Sequence, residues 1–174
     1  MRLLVWGIIL AGLAACSDAA EPTYSGRCPT AAVVSDTSKI VKYQGDGRAK
    51  PENVVVAAEI LFAEIGCRFD ANGLDAALVL DIRAQVGPAT REFNHVLPIY
   101  IAITDQNDRV LIKKIVGTNA GFSDSNTVAY TDVIEGIRIP LAEGDRGSNY
   151  KVLAGFQLTR QQLAQNRERF GFRQ

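Results

Sequence analysis

Residues 54–86 read VVVAAEILFAEIGCRFDANGLDAALVLDIRAQV, and the reading of this stretch decides the fold. Its first part, residues 54–69, is apolar but ambiguous. Val54, Val55 and Val56 are β-branched and favour a strand, while the Ala, Glu and Leu residues that follow suit a helix. The last part is not ambiguous. Leu78, Leu80, Ile82, Ala84 and Val86 alternate with Val79, Asp81, Arg83 and Gln85, the period of two that marks a half-buried strand. Between the two parts, Asp70-Ala71-Asn72-Gly73 is a turn signal, with Asn-Gly suited to the positive φ of a tight hairpin. A hairpin needs a strand on both sides of its turn, so residues 54–69 are predicted to be a strand too. Glu59 and Glu64 are five positions apart, which puts them on opposite faces of a regular strand. A β-bulge, expected near Gly66, would relieve the burial of one of them.

Working outward, the same logic gives more strands. Residues 31–35 and 39–43 are short strand candidates, and Gly45-Asp46-Gly47 ends the second. Gly87-Pro88 closes the strand after the hairpin. Leu97, Ile99, Ile101 and Ile103 then alternate with Pro98, Tyr100, Ala102 and Thr104. Asp105-Gln106-Asn107-Asp108 turns the chain, and residues 109–116 return as RVLIKKIV, a second hairpin. Pro98 has no N–H, so its nitrogen side is expected to face an edge or a bulge. After a polar loop, residues 128–141 are strand-like, most clearly at Ile137, Ile139 and Leu141. Residues 150–158 make the last strand. Thr159 is the expected N-cap of a short helix over residues 159–170, with Gly171 as its stop. About seven strands in antiparallel hairpins predict an all-β protein: an antiparallel β-sandwich, immunoglobulin-like or transthyretin-like, with a short C-terminal helix. The Cys…Trp…Cys pattern of true immunoglobulin domains is absent, because Trp6 precedes all of these strands.

The N-terminus has a different character. Met1-Arg2 is a short positive region, residues 3–13 are apolar, and Ala14-Ala15 are small, the order of a secretory signal. The apolar run is shorter than the roughly 18 residues of a membrane-spanning helix. Leu13-Ala14-Ala15-Cys16 resembles the lipobox of bacterial lipoprotein signals. The resemblance implies cleavage before Cys16, a thioether-linked diacylglycerol and an N-acyl chain on that cysteine, and anchoring by several acyl chains. Ser17, where an Asp would retain the protein at the inner membrane, implies the outer membrane with the domain facing the periplasm. The expected organisation is a signal peptide over residues 1–15, a lipidated N-terminus and tether over residues 16–27, and the sandwich over residues 28–174. An ordinary secretory signal with an incidental cysteine is the rival reading.

Taking Cys16 out of the count leaves Cys28 and Cys67, of three cysteines in all. A pair of cysteines in an oxidising compartment reads as a disulfide. Two free thiols, or half of a metal site, are the alternatives. His95 is the single histidine and no CxxC is present, so a zinc site would have to recruit scattered carboxylates. Cys28 before the first strand and Cys67 late in the long strand are expected to meet at one end of the sandwich. Lys plus Arg number 19 against 19 Asp plus Glu. Removing Arg2 with the signal leaves 18 against 19, near neutral, which excludes the basic excess that a nucleic-acid partner requires. Arg160, Arg167, Arg169 and Arg173 make the last stretch locally basic and read as a solvated helix face.

No constellation in the sequence carries a catalytic signature. His95 follows Glu92, but a triad needs a positioned Ser or Cys as well, and no G-x-S-x-G exists. His95 therefore reads as a surface-loop residue. Asp105, Asn107 and Asp108 miss EF-hand spacing and suit a turn, and Asp124 with Asn126 reads the same way. Glu59, Glu64 and Asp81 are a candidate carboxylate group, balanced on a sheet face by Arg83 or Lys113. Gly45-Asp46-Gly47-Arg48 lacks the Lys-Ser/Thr of a phosphate loop. Tyr100 and Ala102 lie opposite the Leu97–Ile103 face and make that side semi-apolar. The strand edges and the C-terminal helix, through Leu163, Phe170 and Phe172, are expected to cover it. No catalytic, cofactor-binding or metal-binding residue is assigned.

Cys28-Pro29 opening a strand, Ala58-Glu59-Ile60 leading to Cys67, and Gly155-Phe156-Gln157-Leu158-Thr159 with Gln162-Leu163 and Asn166-Arg167 resemble segments of small proteobacterial envelope lipoproteins. The resemblance implies location and a compact β domain, and carries over no catalytic residue. The expected function is non-enzymatic: a lipid-anchored envelope protein that binds a protein or glycan partner. The alternative is an accessory lipoprotein subunit of a secretion or envelope-assembly machine.

Overall fold

The computed structural model of the chain describes residues 26–45, 49–70, 73–141 and 144–169. The expectations placed on the signal, Cys16, the tether before Gly26, Phe170, Gly171 and Phe172 lie outside these residues. The hairpin of residues 54–86 is the centre of the molecule. Its strands, β3 (Val54–Asp70) and β4 (Gly73–Val86), pair antiparallel from Val56↔Val86 to Asp70↔Gly73. The other strands are β1 (Thr30–Val33), β2 (Lys39–Tyr43), β5 (Asn94–Thr104), β6 (Val110–Gly121), β7 (Thr127–Pro140) and β8 (Lys151–Phe156). One helix, α1 (Arg160–Arg169), follows. The strands form two four-stranded sheets, ordered β1-β8-β5-β6 and β2-β3-β4-β7.

This is the predicted sandwich, with eight strands among the described residues where about seven were expected. One pairing departs from the all-antiparallel expectation: β1 runs parallel to β8, from Thr30↔Lys151 to Val33↔Ala154. The reason is where the two strands begin. A Cβ on Gly147, just ahead of β8, would sit 2.6 Å from the Arg27 carbonyl oxygen, just ahead of β1. Both strands therefore start from the same end, and only a glycine at 147 permits that approach.

The core follows the period-two readings. Leu74, Leu78, Leu80, Ile82 and Ala84 of β4 are buried in one cluster with Leu97, Ile99, Ile101 and Ile103 of β5 and Val152, Ala154 and Phe156 of β8. Each fully buried Leu, Ile or Phe contributes roughly 1.5–3 kcal/mol. Strand β4 is regular throughout, but both of its neighbours are bulged.

In β3 the register jumps from Ile60↔Ile82 to Phe62↔Asp81, leaving Leu61 as the extra residue. Val56, Ala58 and Ile60 face the core before the bulge; Ala63, Ile65, Cys67 and Phe69 pack against it afterwards. The bulge is thus at Leu61 and not near Gly66, because the inward apolar residues change parity between Ile60 and Ala63. One consequence matches the reason for expecting a bulge: Glu59 and Glu64 end up on the same outer face. In β7, Glu135 and Gly136 together oppose Ala77, and Gly136 takes φ +70°.

Cys28 and Cys67 meet at bonding distance, with S–S 2.02 Å and Cα–Cα 5.7 Å. Pro98 sits in β5 just past the last β5–β8 pair, Ile99↔Phe156, and its carbonyl accepts the Gln157 N–H at 2.8 Å. N–H and C=O of one residue point to the same side of an antiparallel strand. The missing donor therefore falls where the ladder stops. Helix α1 begins as the Thr159 reading expects. The Thr159 hydroxyl accepts the Gln162 N–H at 3.2 Å and the Gln162 side-chain oxygen accepts the Thr159 N–H at 2.9 Å, a reciprocal capping box.

Candidate functional site

A two-sheet sandwich has two open sides, and this molecule treats them differently. On one side lie the edge strands β1 and β2. The chain crosses between them through a short 3-10 turn, Ser35–Thr37, and β1 packs against β3, to which the cysteine pair joins it. Helix α1 covers the free edge of β2. The Asn166 side-chain amide donates to the Asp36 and Lys39 carbonyls, each at 2.9 Å, and Gln162 donates to the Val41 carbonyl at 3.0 Å. Arg167 pairs with the Asp36 carboxylate at 2.8 Å. Main-chain acceptors that an edge strand leaves open are thereby filled.

On the other side lie β6 and β7, and no helix or loop among the described residues covers them. Val110 (60 % exposed), Leu111 (49 %), Ile112 (45 %) and Ile115 (55 %) make the first half of β6 open to solvent on both faces. Between the two strands a cleft of ≈ 200 Å³ enters the sandwich, lined by Ile101 and Ile103 of β5, Ile112 and Lys114 of β6, and residues 134–138 of β7. At the far end the sheets close again, where the Thr118 hydroxyl donates to the Tyr130 hydroxyl at 3.3 Å. Burial pushes the Tyr130 phenol above its ordinary value. Two larger depressions, of ≈ 390 and ≈ 470 Å³, are shallower. One lies beside the start of α1 and the other on the outer face around Gly66.

The cationic groups at this margin differ in their bonding. Arg138 donates to both Asp70 and Asp75, and the Asp70 carboxylate holds its guanidinium more firmly protonated than usual. Lys113 stands 4.8 Å from the centre of the Tyr100 ring. Among the described residues, neither Lys113 nor Lys114 has a carboxylate within salt-bridge distance. The anionic residues on the β7 lip are Asp132, whose position pairs with Leu80 on the inward face, and Glu135 at the bulge.

The residues singled out from sequence are dispersed. His95 is not a surface-loop residue. It is 8 % exposed at the start of β5, with Nε2 3.0 Å from the Thr90 hydroxyl and its ring edge-on to Phe122. It was misplaced because β5 begins three residues before its clear alternation at Leu97, and that extension puts His95 on the inward face. Glu59 pairs with Lys39 at 3.2 Å and stands opposite Arg83. Asp81 accepts the Thr131 hydroxyl at 2.7 Å, and Glu64 stands opposite Val79. Glu59 and Asp81 thus have a basic and a hydroxyl partner on their sheet face, whereas Lys113, expected to balance these acids, stands on the other sheet beside Tyr100.

Asp105 accepts the N–H groups of Asn107 and Arg109, at 2.9 and 3.0 Å, closing the turn before β6. The Arg109 amide is the chief reason its carboxyl is held below the usual range. At the same end of the sandwich, Asp145 accepts from the Tyr150 hydroxyl and the Asn149 amide. The Asp145 hydrogen bond pushes the Tyr150 phenol up to about 12.

On the Tyr100 face the described residues place groups other than the helix, while the expected cover by Phe170 and Phe172 lies outside the described residues. The Thr37 hydroxyl lies 2.9 Å from the Tyr100 hydroxyl and Lys113 lies over the ring, while α1 packs on β2 and the 3-10 turn. Sequence reasoning missed the apolar margin of β6. The usable signal was RVLIKKIV itself, where apolar residues occupy both parities instead of one. No helix among the described residues is long and apolar enough to cross a membrane. Comparison of the chain with known protein families, with characterised proteins and with solved structures finds no match.

Proposed function

We propose that this chain is a lipid-anchored envelope protein, held at the outer membrane through Cys16 and facing the periplasm, that has no catalytic role and binds a partner protein along the β6–β7 margin. The lipobox-like Leu13-Ala14-Ala15-Cys16 supports the address, and an oxidised Cys28–Cys67 bridge suits that compartment. The observation that carries the binding role is the inequality of the two margins. One is closed by a helix, a crossing turn and a cysteine pair. The other leaves four large apolar side chains of one edge strand in water, beside an apolar cleft. Exposed apolar surface of that kind marks an interaction site. A protein partner is favoured over a glycan because the margin offers aliphatic side chains and a free strand edge, and the exposed first half of β6 carries no aromatic residue. An accessory role in a secretion or envelope-assembly machine is the second reading, and the same free edge supports it.

Two measurements test the proposal. Cys16→Ser is expected to yield an unprocessed precursor that takes up no labelled palmitate; normal labelling would remove the anchor. A photo-crosslinking residue at Ile115 in the cell envelope is expected to give one discrete adduct, with none from the same residue at Gln161 on α1. Equal adducts from both positions, or none from Ile115, would refute the margin as the binding site.

A further inference from the structure

We infer that β6 recognises its partner by strand addition, taking up an extended segment that is apolar and acidic; this rests on the partner-binding reading above and names the chemistry of the partner. The first element of the argument is geometry. From Ile103↔Ile112 to Asn94↔Gly121 the β5–β6 ladder is uninterrupted, so the opposite edge of β6 presents a regular row of main-chain donors and acceptors. No proline lies within Val110–Gly121. Strand β7, the other lip, is unsuited to the same role. Its bulge at Glu135–Gly136 breaks the repeat, and Asp132 places a charge on its inward face.

The second element is charge. Residues 109–121 contain Arg109, Lys113 and Lys114 and no acid. Arg109 is neutralised by Asp105 at 2.7 Å, but Lys113 and Lys114 have no carboxylate partner among the described residues. A second copy of β6 laid antiparallel and centred on its exposed half would bring these lysines close to their own counterparts, so the pair that opposes that self-pairing selects for the opposite charge. Each face of an added strand meets one apolar and one cationic position: Ile112 and Lys114 on the inner face, Ile115 and Lys113 on the outer. The complementary segment therefore carries a β-branched or other apolar residue and a Glu or Asp on each of its faces. Recognition of this type takes affinity from main-chain bonds and specificity from alternate side chains.

The test uses the mature chain and two synthetic ten-residue peptides. One is built of Val, Thr and Glu; its counterpart has every Glu replaced by Lys. At low salt the Glu peptide is expected to bind at least tenfold more tightly than the Lys peptide, and to slow hydrogen exchange at the amides of residues 112–116. In Lys113→Glu/Lys114→Glu, whose circular dichroism should be unchanged because both side chains are exposed, the preference should invert. Equal affinity for the two peptides, or protection that falls elsewhere, would overturn the inference. So would β6 amides already protected without peptide, whether by a dimer seen in sedimentation or by residues 17–25 of the same chain, as revealed by their removal. If the peptides fail while Ile115 still gives a discrete envelope adduct, strand addition falls and the binding margin stands. If Ile115 gives no adduct, the margin itself falls.

Discussion

Strands β2 and β6 are both edge strands of the same sandwich, one in each sheet, and they have been handled in opposite ways. Strand β2 is five residues long, and α1 fills its outward carbonyls through Asn166 and Gln162. Strand β6 is twelve residues long, apolar on both faces in its first half, and left open. An unprotected edge is a hazard of aggregation, and Lys residues on an edge are one of the devices that limit it. The difference therefore teaches that the protein has the means to cover an edge and, among the described residues, applies it on one side only. On the other side β6 carries two exposed lysines, Lys113 and Lys114.

Three experiments break or sharpen this contrast. The largest effect separates buried from open apolar residues. Leu80→Ala in the middle of β4, where the side chain is fully buried, should cost about 3–5 kcal/mol in urea unfolding. Leu111→Ala on β6 should change stability by no more than about 0.5 kcal/mol. A comparable loss at Leu111 would mean that β6 is part of the core and the margin is not free.

The second concerns the cysteine pair that joins the closed side. Its loop spans a sequence separation of 39, and replacing both residues in Cys28→Ser/Cys67→Ser should cost about 2–4 kcal/mol in the chain-entropy account. An unchanged urea midpoint would remove the bridge from the explanation of the closed margin.

The smallest effect tests the helix as an edge cover. Asn166→Ala removes the donor to two main-chain carbonyls and should cost about 1–2 kcal/mol, with faster exchange localised to β2 and the 3-10 turn before it. If exchange there is unaffected, α1 does not protect that edge.

Much of the architecture was legible in the chain. The alternation from Leu78 to Val86, the hairpin pairing that ends at Asp70↔Gly73, the turn residues at 105–108, the Thr159 cap and the cysteine pair are local or statistical signals, and each was found where expected. The misplacements share a physical cause. The bulge at Leu61 depends on which side of β3 is buried past Ile60, a matter of packing and not of local preference. His95 is buried because β5 extends beyond its own clear alternation and carries the ring against Phe122. The parallel β1–β8 pair arises because two distant segments start at one end of the molecule, near Gly147. No window of sequence contains that information.

By itself, then, the sequence determined that this is a β protein with two hairpins and a short helix after the last strand. Periodicity, turn chemistry and capping act over a few residues and are written in the order of side chains. Only the tertiary structure decided which strands became edges, and which of those edges were covered. RVLIKKIV would have been core in a central strand. It is a surface because strand order placed β6 last in its sheet, with α1 spent on the opposite side. Burial depends on what lies next to a strand in space, and beyond its pairing with β5 no strand or helix among the described residues lies on the outer edge of β6.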